Sequence, residues 1–83
     1  MRNIILSAPT LSHELLAEVF SFPDYYGKNL DALHDCLCEI REDTSVFLTD
    51  LGEASGRDWK FVTVLRDTAR NHPHLRIYMA SPL

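Results

Sequence analysis

The chain is predicted to be an α/β protein: a three-stranded parallel sheet with helices packed against it. Three observations predict this. Short apolar or β-branched runs at 3–7, 45–49 and 75–80 have the length of strands. The segments between them carry apolar residues at helical spacing. Strands separated by helices pair in parallel through right-handed crossovers, and a helical layer then buries one face of the sheet. The 83 residues are read as one domain, 1–83. A chain of this size buries roughly 60–65% of the surface that it exposes when unfolded, which leaves little room for a deep pocket beside the core.

The first strand, Asn3 to Ser7, contains Ile4 and Ile5 and is stopped by Ala8-Pro9. Thr10 or Ser12 caps the first helix; the residues do not decide which. Leu11, Leu15, Leu16, Val19 and Phe20 supply its apolar face, and Ser21 to Pro23 ends it. Asp24 to Lys28 is a connector in which Gly27 is expected to take a positive φ. Asn29 caps the second helix, whose stripe is Leu30, Leu33, Cys36, Leu37 and Ile40, and which is expected to run to about Arg41. Ser45 to Thr49 is a buried strand. Leu51 to Gly56 is a loop with room for one helical turn, and Asp58 is the expected cap of a third helix reaching about Asn71. The run Val62-Thr63-Val64 favours strand locally, but Leu65 to Arg70 continues the helical period and Pro73 closes it. Leu75 to Ala80 is the last strand.

Composition narrows the function. Hydrophobic residues make up 46% and charged residues 24%, a globular balance. The net charge is −4, from 12 acidic and 8 basic residues. Such a surface repels nucleic acid, whose phosphates need Lys and Arg to displace their counterions, and it suits a basic partner. Cys36 and Cys38 stand two apart, a separation that points them away from each other on a helix. That favours reduced thiols and a cytoplasmic protein. The start of the chain lacks the long apolar run of a signal peptide, and no stretch approaches transmembrane length, so no membrane role is expected.

The segment richest in chemistry runs from Asn29 to Ile40. Asp31, Asp35 and Glu39 recur every four residues and form one acidic ridge on a helix, about 6 Å apart along its axis. The leucine stripe holds the opposite side, so the ridge faces solvent. Charge runs are most often solvated faces, but those usually mix signs at i, i+4, and this ridge has no interleaved Lys or Arg. Carboxylates in a row, without a pocket, suit recognition of a basic surface better than acid–base catalysis.

The stretch Phe22-Pro23-Asp24-Tyr25-Tyr26-Gly27-Lys28-Asn29-Leu30-Asp31-Ala32-Leu33-His34-Asp35-Cys36-Leu37 resembles the signature of the barstar family. Its pattern is an apolar residue, Pro, an acid, two aromatics, Gly, any residue, Asn, Leu-Asp-Ala-Leu, a bulky residue, Asp, Cys and Leu. The resemblance covers roughly a fifth of the chain; elsewhere the agreement lies in element order and length. It implies a barstar-like fold, no catalysis and no cofactor. It implies inhibition of a basic, secreted, guanyl-specific ribonuclease of the barnase type, by an intracellular protein that is a monomer when free. On this resemblance Asp35 takes the position whose carboxylate enters the enzyme's phosphate-binding pocket, and Asp31 takes the neighbouring acidic contact. Tyr25 matches an aromatic that packs over the enzyme's active site. Gly27, Asn29 and Leu30 match the loop and helix start lining the contact, and Asp67 matches a peripheral acidic contact. His34, Cys38 and Glu39, on the same helix, complete the expected partner-binding set. The chain also departs from the family's best-known member. His34 replaces a tryptophan, Glu39 and Ile40 replace a glycine and a second tryptophan, and Lys28 adds a positive charge. These departures bear on which nuclease is recognised, because large aromatics often dominate such interfaces.

Rival readings are weaker. His34 and Cys38 share a face, but Cys36 points elsewhere and reads as a small core residue, and zinc needs three or four convergent ligands. A hydrolase needs a pocket with contrasting carboxylate environments, which a convex helix face does not supply. Of the adjacent aromatics, the resemblance implies that Tyr26 points inward and Tyr25 outward. Trp59 and Phe61 are assigned to core or rim. The alternative within binding proteins is a barstar-fold immunity or regulatory module whose target is a different nuclease or toxin.

Overall fold

Successive side chains of a strand point to opposite faces, so the sheet sorts the apolar runs onto two faces. The computed structural model describes residues 2–79. It contains strands β1 (Arg2–Ser7), β2 (Thr44–Thr49) and β3 (Leu75–Met79) and helices α1 (His13–Phe20), α2 (Leu30–Cys38) and α3 (Gly56–Arg70). Single 3-10 turns at Ala8–Thr10 and Leu51–Glu53 follow β1 and β2. The expected last residue of the third strand, Ala80, lies outside the described residues.

The strands are parallel in the order β1-β2-β3, so the expected sheet is present, with β2 central. Steady progress across the sheet by right-handed crossovers puts every connection on one face. That face presents Ile4, Leu6, Val46, Leu48, Leu75, Ile77 and Met79 to one core with Leu16 and Phe20 of α1, Leu33 and Leu37 of α2, and Phe61, Val62 and Leu65 of α3. The other face carries one row in register, Ile5, Phe47 and Tyr78. The Phe47 and Tyr78 rings stack at 5.1 Å, and Ile5 is 74% exposed.

Local chemistry sets the helix ends. Ser12, not Thr10, caps α1: its hydroxyl accepts from the Leu15 N–H at 3.0 Å. The helix stops where Ser21 turns left-handed, at φ 57°. There the Ser21 N–H donates to Glu18 O and the Phe22 N–H to Ala17 O, the paired bonds of a Schellman ending. The β-branched run 62–64 does lie within α3, because Val62 and Leu65 are both needed in the core.

Three expectations need correction. Ser55 caps α3, and Asp58 is its partner three residues on. The Ser55 hydroxyl accepts from the Asp58 N–H at 3.3 Å, while the Asp58 carboxylate accepts from the Ser55 N–H at 2.9 Å. α2 ends at Cys38 rather than near Arg41. The Glu39 and Ile40 N–H groups bond three residues back, to Cys36 and Leu37, and this tightened turn swings Ile40 onto the core. Gly27 does not take a positive φ; Lys28 does, at 52°. Gly27 is small for another reason: a Cβ there would lie 3.3 Å from Asn29 Nδ2 and 3.5 Å from Ala32 Cβ.

The capping box at α3 makes a direct prediction. Ser55→Ala removes the acceptor for the Asp58 N–H, and the loss should be about 1 kcal/mol. A urea titration should show a lower midpoint with an unchanged slope.

Candidate functional site

The acidic helix starts from its cap. Asn29 Oδ1 accepts from the Ala32 N–H at 2.8 Å, and its Nδ2 donates to Gly27 O at 3.3 Å. One side chain therefore starts α2 and ties the connector to it. Leu33 and Leu37 are fully buried beneath the helix. At 100° per residue, that places Asp31, Asp35 and Glu39 on the far side, and all three are exposed. Asp31 lies in the first turn, where the helix dipole favours a negative charge, whereas Glu39 is the C-cap residue. Among the described residues no Lys, Arg or His pairs with any of the three; the ion pair present joins His74 to Asp43.

The connector is fastened by Tyr26. Its side chain is buried, and its hydroxyl lies 2.6 Å from His13 Nδ1. The Tyr26 ring leans on Phe22 at 4.9 Å, and His13 meets Phe61 edge-on at 4.9 Å. Burial, with lesser contributions from Cys36 and Glu14, pushes the Tyr26 phenol up to about 12. The phenol therefore stays protonated well above neutral pH and keeps its hydrogen bond with His13. Tyr25 points the opposite way, 83% exposed. Tyr25, Tyr26, Gly27, Ala32, Asp35, Cys36 and Glu39 line an open groove of about 270 Å³ between connector and helix. Cys36, read from sequence as a core residue, is only half-buried: it packs against the core and also borders this groove. Its thiol is raised by burial first, then by the Glu39 and Asp35 charges.

The remaining expected residues fall on the α3 side of the helix. His34 is exposed, yet its Nδ1 lies 2.8 Å from the hydroxyl of buried Thr68. Its Nε2 is 3.6 Å from Cys38 Sγ, as the four-residue spacing predicts. No group of three or more metal-ligating side chains converges among the described residues. Asp67 precedes Thr68 and is exposed, and so lies on α3 beside the segment that meets His34. Leu30 is half-buried against the core. Tyr25, Gly27, Asn29, Asp31, Asp35 and Glu39 thus gather along one edge, with His34, Cys38 and Asp67 towards α3.

Sequence reasoning assigned no role to His13, His72 or His74. His72 Nδ1 accepts from the His74 N–H at 3.1 Å, which leaves Nε2–H to donate to Cys38 O at 3.0 Å. A histidine after α3 therefore satisfies an end carbonyl of α2. The His74 ring bonds Asp43 and, with the charges of His74 and Arg76, holds that carboxyl below its ordinary range. The partners are 34 and 31 residues apart, so no local pattern could have revealed them.

Chemically, the arrangement is a convex row of unpaired carboxylates beside an exposed phenol. It can accept charge-assisted hydrogen bonds from guanidinium and ammonium groups. No helix among the described residues is long and apolar enough to cross a membrane.

The family model described as Barstar (barnase inhibitor) matches residues 9–80, which include the connector, α2 and α3. A protein of Bacillus subtilis (strain 168), named "Putative ribonuclease inhibitor YrdF", is 48% identical over 42 residues. That match covers 45% of this chain and 46% of the relative, so it spans about half the length of each.

Tyr26 links the connector to alkaline stability. Its folded pKa is raised, so its contribution is intact below the unfolded tyrosine value near 10. It is lost as pH climbs from there through about 12. Tyr26→Phe should cost about 1 kcal/mol at neutral pH through the lost hydrogen bond to His13. It should also flatten the fall in urea midpoint above pH 10. An unchanged fall would show that Tyr26 does not carry the effect.

Proposed function

The chain belongs to the barstar family, and on that premise we propose that it inhibits a barnase-like, guanyl-specific ribonuclease by covering its active site. The observation that carries this reading is the exposed Asp31, Asp35 and Glu39 row, unneutralised and opposite the buried leucines. A ribonuclease cleft is basic because it binds phosphates. A carboxylate entering it takes the place of a substrate phosphate and accepts hydrogen bonds from the enzyme's Arg and Lys. Asp35, at the middle of the row and on the groove beside Tyr25, is the residue for that position. Asp31 and Glu39 extend the negative field, Tyr25 packs over the cleft, and Asp67 contributes at the edge. The protein acts by binding, without turnover or cofactor, as a cytoplasmic monomer that protects the cell from a secreted enzyme.

Complementary charge speeds encounter and makes the association rate fall with salt. His34 and Ile40, standing where the family's best-known member has tryptophans, favour a second reading with the same binding mode but a different nuclease or toxin as target.

The test titrates barnase activity with the protein and with its Asp35→Ala and Glu42→Ala variants. Asp35→Ala leaves enzyme cations desolvated and unpaired. It should weaken inhibition at least a hundredfold, roughly 3 kcal/mol. Glu42→Ala should change it by less than about threefold. Equal small effects would refute the assignment of Asp35. A folded protein that does not inhibit would move the reading to a different target.

A further inference from the structure

A second apolar surface adjoins the acidic face. Leu30, Gly56, Trp59, Lys60, Thr63 and Val64 border an open groove of about 300 Å³ between the starts of α2 and α3. Trp59 retains 39% of its surface exposed, and Leu30 and Val64 are half-buried beside it. The groove continues the face already described. Leu30 immediately precedes Asp31. Further along the same pair of helices Thr68 meets His34 and His72 meets the end of α2, so α2 and α3 run side by side. Asp67 lies one turn beyond Thr63 and Val64 on α3. Among the described residues, the exposed large hydrophobics are Ile5, Tyr25, Trp59 and Tyr78. Ile5 and Tyr78 lie on the sheet's outer face, which leaves Tyr25 and Trp59 to flank the ridge.

We propose that this groove is part of the docking surface, that it receives an apolar side chain from the rim of the ribonuclease's substrate cleft, and that Trp59 is the specificity-determining contact. The proposal rests on the ribonuclease-inhibitor reading above. Lys60 locates the occupant: a cation in the groove repels the basic cleft itself, so the inserted side chain comes from the less basic rim. Tryptophan in a desolvated pocket is among the side chains that most often dominate an interface. Trp59 thus supplies indole bulk on the α3 side of a face where His34 and Ile40 stand in place of tryptophans.

Barnase activity is titrated with the full chain and with Trp59→Ala, Thr63→Gln and Asp35→Ala, and the thermal unfolding of each is recorded. Trp59→Ala should weaken inhibition about thirtyfold. Thr63→Gln, whose longer neutral side chain enters the groove from an exposed position, should weaken it about fivefold. The salt dependence of association should stay as in the parent, because neither change alters charge. If Trp59→Ala does not fold, Thr63→Gln decides the matter. Parent-like inhibition by the folded variants, with Asp35→Ala still impaired, overturns the groove and leaves the ridge standing. A folded parent chain that fails to inhibit barnase overturns the barnase-type reading and, with it, the groove.

Discussion

Burial of Leu33 and Leu37 is the constraint on which the rest depends. Both leucines are fully buried in the core, and their burial contributes roughly 3–6 kcal/mol together. Two like-charge pairs at i, i+4 cost roughly 0.4–1 kcal/mol in sum. Core packing therefore outweighs ridge repulsion, and the helix can hold three carboxylates on one line. The same packing fixes their direction. Rotating the helix by one residue would expose a leucine and bury an aspartate, and an unpaired buried charge is far more costly than the repulsion it would relieve.

The connector is held with similar economy. Asn29 caps the helix and grips Gly27 O, Tyr26 bonds His13, and the Schellman ending of α1 aims the chain into the turn. Tyr26 N–H closes that turn by donating to Pro23 O at 3.0 Å. Tyr25 is thereby placed outward before any partner arrives. A surface ordered in advance loses less entropy on association. The rest of α2 is secured from α3 and the turn that follows it, by His34 with Thr68 and by His72 with the Cys38 carbonyl. The helix is thus clamped at both ends, while its outer face remains free of intramolecular partners among the described residues.

The parallel sheet, the three helices and the exposed ridge were legible because each rests on a short-range signal: brief apolar, β-branched runs for strands, and spacings of three and four for helices. The Asn29 cap was legible from its residue type just before the leucine stripe, whereas the outward Tyr25 came mainly from family resemblance. The boundaries failed where two local solutions compete. Asp58 is as good a cap as Ser55 by residue type, and only the reciprocal bonds decide between them. Gly27 invites a positive φ, yet Lys28 takes it, and residue type alone does not show which of two adjacent connector residues turns left-handed. The histidines were illegible because their partners are distant in the chain. The groove at Trp59 was illegible because it requires the relative placement of two helices. The assignment of Asp35 as the central carboxylate came from family resemblance, since periodicity alone treats Asp31, Asp35 and Glu39 alike.

The most direct measurement of the central claim is a backbone amide NMR titration of the isotope-labelled protein with catalytically inactive barnase. The account predicts that the largest shift changes fall on residues 25–39, centred on Tyr25, Asp31 and Asp35, with the outer sheet face unaffected. Changes centred instead on Ile5, Phe47 and Tyr78, with α2 unmoved, would contradict it.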